Sequence, residues 1–526
     1  MENKNPSAIE YHETTKLGYI NLKTKPSQYK SYNIDPAITL KGRSKEINTP
    51  TLDCVDLANS GQSPVGLTEI ATLLNLSSGI IKSNISTTAG PVDYRAASSA
   101  GALYPIETYL ICGDLQDIPA GIYHFSPKDN VLIKIAEGDY RALLSSGRSE
   151  HQEISNSPIV LVYTSIIWRS TWKYRARGYR YSLWDNGTIL SNLINASNAL
   201  GIPNKLYLGF IDNTVNDLLG LDGVKEAATC MVTMGAQSVQ HLHNPTHNTI
   251  KVNPDYNNDI EYDEVTKMHQ ATKINSPSDL DKWLTTIPER YEYPAGESKL
   301  STKLIPPIES RSIHDTITNR GSTRRFQRTS ISKTHLIHLL NSSTNPAKSD
   351  FLNENRPSLL EFYFIVNSVE GVPRGAYYYS LNNSSLELIK SGNFRSDAGH
   401  LCFEQALGYD SSVVAFIMAD LTSLTTEYGD RGYRAAQIEA GMRGGQLYLS
   451  AYSLGLGASG ITFYDDSVTE FFSPHASTAT PMFVVTIGKT SNQNSVRPFR
   501  SKVAVKLDAM ATVSYTHLTL PTSDLV

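Results

Sequence analysis

The chain of 526 residues is expected to fold as two α+β domains, each a central, mostly antiparallel sheet flanked by helices, paired as an intramolecular pseudo-dimer. Three observations predict this. RGYRYSLWDNGTILSNLINASNALGI from Arg177 returns as RGYRAAQIEAGMRGGQLYLSAYSLGL from Arg431, an offset of 431 − 177 = 254. ETYLICGDLQDIPAGIYHF from Glu107 returns as EFYFIVNSVEGVPRGAYYY from Glu361 at the same offset. Within each copy, short strand-like runs surround one long helix-like segment.

The elements follow in order. ETYLIC and EFYFIV alternate and are rich in β-branched and aromatic residues, so they read as strands, and GIYHFSP and GAYYYSL as their hairpin partners. IVLVYTSI and SVVAFIMAD are short, continuous apolar runs, the pattern of a strand buried on both faces. Tyr181 to Leu200 and Ala435 to Leu454 read as long helices ending at Leu-Gly. CMVTMG and FVVTIG close each copy. The first domain is assigned to residues 1–239 and the second to 308–506. Between them, 240–307 is polar and Asn/Asp-rich and reads as a linker, with a short helix in SPSDLDKWLTTIPERY capped by Ser278 or Asp279. Residues 507–526 form a tail. From about Ser514 it resembles translated sequencing-adapter read-through and is treated as non-native.

Composition narrows the function. A net charge of −4 gives no electrostatic case for nucleic acid. No apolar run reaches the length of a membrane span, and the N-terminus lacks a secretion signal, so a cytoplasmic, membrane-free protein is expected. Cys54, Cys112, Cys230 and Cys402 form no CxxC and read as inert, reduced thiols. His241, His243 and His247 read as solvated loop residues, and no metal site is expected. GxSxG, P-loop, HExxH and GxGxxG motifs are absent.

Copy one carries YRAASSAGALYPIETYLI, GIYHFSP and WKYRARGYRY, and copy two carries NRGSTRRF. Together these strings resemble the SagB-type dehydrogenases, a branch of the nitroreductase superfamily, here in a tandem form. The resemblance implies FMN bound between two like subunits: one gives R-x-S-x-R near its start and basic residues near its end, the other a Ser-rich loop. Here each copy has kept one half. Copy two keeps Arg320, Gly321, Ser322 and Arg324, and Arg497 and Arg500 near its end. Copy one keeps the loop Ser98, Ser99, Ala100 and Gly101, where copy two has the shorter RPSLLEF. Ser459, Gly460 and Ile461 match the segment that family members set beside flavin N5. The losses are complementary, so one composite FMN site per chain is expected.

The residue types suit that chemistry. Arginine meets phosphate with a planar fork of donors, and a cation at the ring's pyrimidine edge stabilises the reduced anion. Arg324 is the candidate for that edge. Lys173 and Tyr174 match a Lys-Tyr pair implicated in proton removal in SagB-type azoline oxidases, and copy two has Glu427 and Tyr428 instead. RGYR, present in both copies, reads as a structural cap of the long helices. The resulting expectation is an FMN-dependent oxidoreductase passing hydride at N5, acting on a small molecule or on azoline rings of a modified peptide, with oxygen or NAD(P)H as redox partner and a cyclodehydratase complex as host. Two alternatives remain: an NAD(P)H-dependent reductase of nitro-aromatics, quinones or enones, and a flavin-free scaffold of a peptide-modifying complex.

Overall fold

The computed structural model describes residues 24–32, 37–56, 61–86, 90–145, 152–236, 259–286, 296, 299–303, 306–353 and 356–491. Copy one contributes β1 (Ala37–Thr39), β2 (Ile80–Ser86), β3 (Gly90–Arg95), β4 (Ile106–Cys112), β5 (Gly121–Ser126), β6 (Val131–Glu137), β7 (Ile159–Ile166), β8 (Asn204–Tyr207) and β9 (Glu226–Met234). Copy two contributes β10 (Lys299–Ser301), β11 (Glu361–Val366), β12 (Gly375–Ser380), β13 (Ser385–Ser391), β14 (Val413–Asp420), β15 (Gly457–Gly460) and β16 (Ala479–Gly488). The first sheet runs β1-β6-β5-β4-β7-β9-β8 and the second β10-β13-β12-β11-β14-β16-β15, with β2 and β3 as a separate hairpin. Strand for strand the two orders are the same, and every pairing within them is antiparallel.

The repeat extends to register. Tyr109 faces Val162 across β4 and β7, and Tyr363 faces Phe416 across β11 and β14. Both β5–β6 and β12–β13 shift register at matching points, Ile122/Tyr123 and Ala376/Tyr377. β4, β7 and β9 are buried at every position, which is why the apolar run of β7 does not alternate. The two two-domain expectations, α+β class and mostly antiparallel sheets, are met.

The long helices Gly178–Ala199 and Asp430–Ser453 pack against each other between the sheets. Their crossing is set by glycine. A Cβ on Gly187 would lie 2.2 Å from Ile438 O, and one on Gly441, its repeat equivalent, 2.3 Å from Trp184 O. Only hydrogen fits there, so the backbones approach closely and matching residues meet across a pseudo-two-fold axis. The copies also share backbone bonds: Thr51 N–H donates to Arg311 O at 2.9 Å and Ile313 N–H to Thr49 O at 2.9 Å.

RGYR acts differently from the expected helix cap. Arg431 and Arg434 donate to Asp212 of the other copy at 2.7 Å each, fully buried. Arg177 and Arg180 donate to Asp465 at 2.8 Å each, in a partly exposed position. The motif is kept twice because each copy clamps the other. The stretch between the copies holds helices Asp263–Ala271 and Pro277–Thr285, and β10 joins the second sheet. Ser276, not Ser278 or Asp279, caps the second of these helices. Its hydroxyl accepts from Asp279 N–H at 3.1 Å, and Pro277 takes the first helical position, where no N–H is needed.

Candidate active site

A cavity of about 90 Å³, partly open to solvent, lies between the copies. Copy one lines it with Ser98, Ser99 and Ala100 from the loop after β3, and with Tyr174 at the end of helix Ile167–Tyr174. Tyr181, Trp184, Asp185 and Thr188 add one face of the first long helix, their spacing being that of successive turns. Copy two supplies Ser322 and Arg324, then Ser459, Gly460, Ile461 and Thr462 from β15 and beyond, and Gln405, Tyr448 and Phe483.

The loop is held from below by the first long helix. Ser99 Oγ donates to Asp185 Oδ2 at 2.5 Å, Ala100 N–H to Asp185 Oδ1 at 3.0 Å, and Thr188 Oγ1 to Ser98 O at 2.7 Å. Burial pushes the Asp185 carboxyl up to about 8, against the lowering effect of those two donors. Gly101 has φ +65°, and a Cβ there would sit 2.7 Å from Tyr174 Oη and 3.0 Å from Lys173 Nζ. Lys173 and Tyr174 thus close directly on the loop. Burial, reinforced by the neighbouring Lys25 and Arg324 charges, lowers the Lys173 ammonium to about 7.

Copy two's residues divide. Arg324 lines the cavity, whereas Arg320 is buried with its Nη2 donating to Ala96 O of copy one at 2.5 Å and its guanidinium 5.5 Å from the Tyr448 ring. Arg320 therefore fastens the base of the loop instead of facing the cavity. Gly321 lies in the extended stretch between them. Ser322 Oγ is 3.2 Å from Tyr448 Oη, which also accepts the Gly460 N–H. Ile461 N–H donates to Val484 O at 3.1 Å. The N–H groups of Gly460 and Ile461, in the segment matched to the flavin N5 side, are thus already engaged within the protein. Arg497 and Arg500 lie outside the described residues.

The matching region of the other half is filled. Arg443 donates to Glu439 at 2.7 Å and to the Pro357 and Asn345 carbonyls. Leu208 and Gly209 N–H groups donate to Asp350 at 2.9 and 2.6 Å, and Trp283 Nε1 to the same carboxylate at 3.2 Å. Trp283 also packs on Tyr428 with ring centres 5.2 Å apart. Asp350 and Trp283 thus lie against Leu208, Gly209 and Tyr428 in that half.

The family model described as Nitroreductase matches residues 62–236 and 317–489, one match per copy. The chain belongs to the nitroreductase family. A crystal structure of a nitroreductase-type protein from Anabaena variabilis ATCC 29413 shares the fold with a TM-score of 0.74 and 28% identity, covering 92% of this chain and 99% of that one. The Microcin B17-processing protein McbC of Escherichia coli is 33% identical over 135 residues, 24% of this chain and 49% of McbC. The Trifolitoxin-processing protein TfxB of Rhizobium leguminosarum bv. trifolii is 31% identical over 142 residues, 26% of this chain and 37% of TfxB. The chain thus spans half or less of these two curated relatives. An oxidoreductase-like nitroreductase related to peptide-processing proteins is what the matches support, in agreement with the SagB-type resemblance. Among the described residues no helix is long and apolar enough to cross a membrane, and no cluster of metal-ligating side chains occurs.

Tyr181, Trp184, Asp185, Thr188, Tyr448, Gln405 and Phe483 were not expected from sequence. The signal for the first four was present: all lie on one stripe of the helix following RGYR.

Proposed function

We propose that this nitroreductase-family chain is an FMN-dependent oxidoreductase of SagB type with one composite site, acting on azoline rings of a modified peptide. The observation that carries the reading is that the kept half of each copy, the Ser98–Ala100 loop and the Ser322/Arg324 segment, lines one cavity.

The lining fits the group. Aromatic walls from Tyr174, Tyr181, Trp184 and Phe483 suit a planar ring, and Arg324 with the Ser98 and Ser322 hydroxyls offers donors for its polar edge and phosphate. Arg320 supports them by holding the loop. When bound, FMN supplies a two-electron acceptor for hydride at N5, reset afterwards by oxygen or a nicotinamide. Lys173 removes the ring proton that must leave alongside the hydride. Its lowered ammonium keeps a large neutral fraction near pH 7, which a free lysine lacks. Tyr174, beside it at the loop, orients that amine: Lys173 Nζ stands 5.1 Å from the Tyr174 ring centre. Similarity to the processing proteins McbC and TfxB supports the peptide substrate, and the SagB-type resemblance implies a cyclodehydratase complex as partner.

Heat release of flavin from purified protein is the test. A ratio of one FMN per chain is expected; two would mean that the filled half also binds, and a colourless protein that refuses added FMN would leave the scaffold reading.

A further inference from the structure

Gln405 stands out among the cavity residues. Its side chain is 2% exposed, yet neither Nε2 nor Oε1 has a hydrogen-bond partner. A buried amide normally has partners, because leaving a donor and an acceptor unmet forfeits their hydration without replacement. The backbone leading to it is strained as well. Phe403 and Glu404 have φ of +59° and +58°, two successive non-glycine residues in the left-handed region. That turn follows helix Arg395–Leu401 and folds the chain back, so that Gln405 N–H donates to Cys402 O at 3.3 Å. Its outer side is pinned where Glu404 accepts from Tyr409 Oη at 3.0 Å and pairs with His400. The result is an unmet carboxamide set at the wall of the cavity, next to Thr462 and Ile461.

We infer that Gln405 is a specificity-determining residue whose carboxamide pairs with an edge carrying one N–H donor beside one C=O acceptor on the molecule held in the cavity. A carboxamide offers one acceptor and two donors, so it matches an amide or imide edge and not a lone anion or an apolar group. Two sources have that chemistry: the imide of a flavin ring and the backbone amide of an extended peptide. The inference rests on the reading of this cavity as a cofactor and substrate site.

Gln405→Leu removes both polar functions at similar volume, and Gln405→Glu keeps acceptors while removing the donor. An unmet amide predicts that Gln405→Leu leaves Tm unchanged or raised; a marked fall would show an internal structural partner and overturn the inference. FMN and N3-methyl-FMN are then titrated by fluorescence quenching, and N-acetylglycine N-methylamide by calorimetry, on wild type and both variants. Roughly tenfold weaker FMN binding by Gln405→Leu, with wild type preferring FMN to the N3-methyl form, assigns the edge to the flavin imide. Unchanged FMN affinity with lost peptide-amide binding assigns it to the substrate. If neither changes, Gln405 recognises nothing and the inference falls. A wild-type protein that binds no FMN sinks the oxidoreductase reading instead, and the peptide titration still decides Gln405.

Discussion

Asp185 and Glu439 occupy matching turns of the two long helices, and each accepts the same pair of donors from the loop above it: Ser99 Oγ and Ala100 N–H in one case, Ser358 Oγ at 2.7 Å and Leu359 N–H at 2.9 Å in the other. One turn further on they part. Copy two has Arg443, whose guanidinium neutralises Glu439 and fills the adjoining space. Copy one has Ile189 there, and among the described residues no cation is bonded to Asp185. The same scaffold position is thus a closed ion pair in one half and an open, proton-sensitive wall in the other.

The comparison can be broken in several places. The largest effect is expected at Lys173. Lys173→Met should lower turnover roughly 10²- to 10⁴-fold, the usual worth of a positioned proton acceptor. In the wild type, activity should rise as pH passes about 7, since the neutral amine is the working form, and this step should vanish in the variant; a pH–rate profile of both proteins checks it. Next is Arg443→Met, which strands Glu439 as a buried charge and should cost about 3–5 kcal/mol in denaturant unfolding while leaving flavin content unaltered. A smaller loss, about 1–3 kcal/mol, is expected for Gly187→Ala, which forces the helices apart; the same change at Gly441 should cost a similar amount, sharpening the claim of symmetry.

The last of these effects is pH-dependent and concerns Asp185. Its folded-state carboxyl is raised from 3.8 to about 8, so the folded protein holds a proton that the unfolded chain releases. Its contribution is fully present below about pH 4 and is lost as pH rises toward 8. Asp185→Asn should flatten that decline, read from denaturant midpoints at pH 5 and 8. An unchanged slope would mean that the carboxyl is charged throughout, as in a pair.

Much of this was legible in the residues. The repeat, the class of fold and the kept halves of the loop and arginine motifs are all written as strings, because a duplicated chain preserves spacing. What the strings hide is direction. Nothing in NRGSTRRF says that Arg320 turns toward Ala96 while Arg324 turns toward the cavity; that depends on how close the other copy's loop comes. Arg443 looked like one more helix residue, since its role exists only against Glu439 one turn back and carbonyls nearly a hundred residues away. Trp283, placed in a polar linker, gave no hint that it would pack on Tyr428.

The cavity lies where the two copies meet, and both belong to one chain. In a two-subunit enzyme, a site shared across the interface exists only while the subunits are associated, so dilution empties it. Here the second half is always present at an effective concentration fixed by the connecting chain. Dilution should therefore release a bound ligand only as that ligand's own Kd dictates, with no added loss from parting of the two halves.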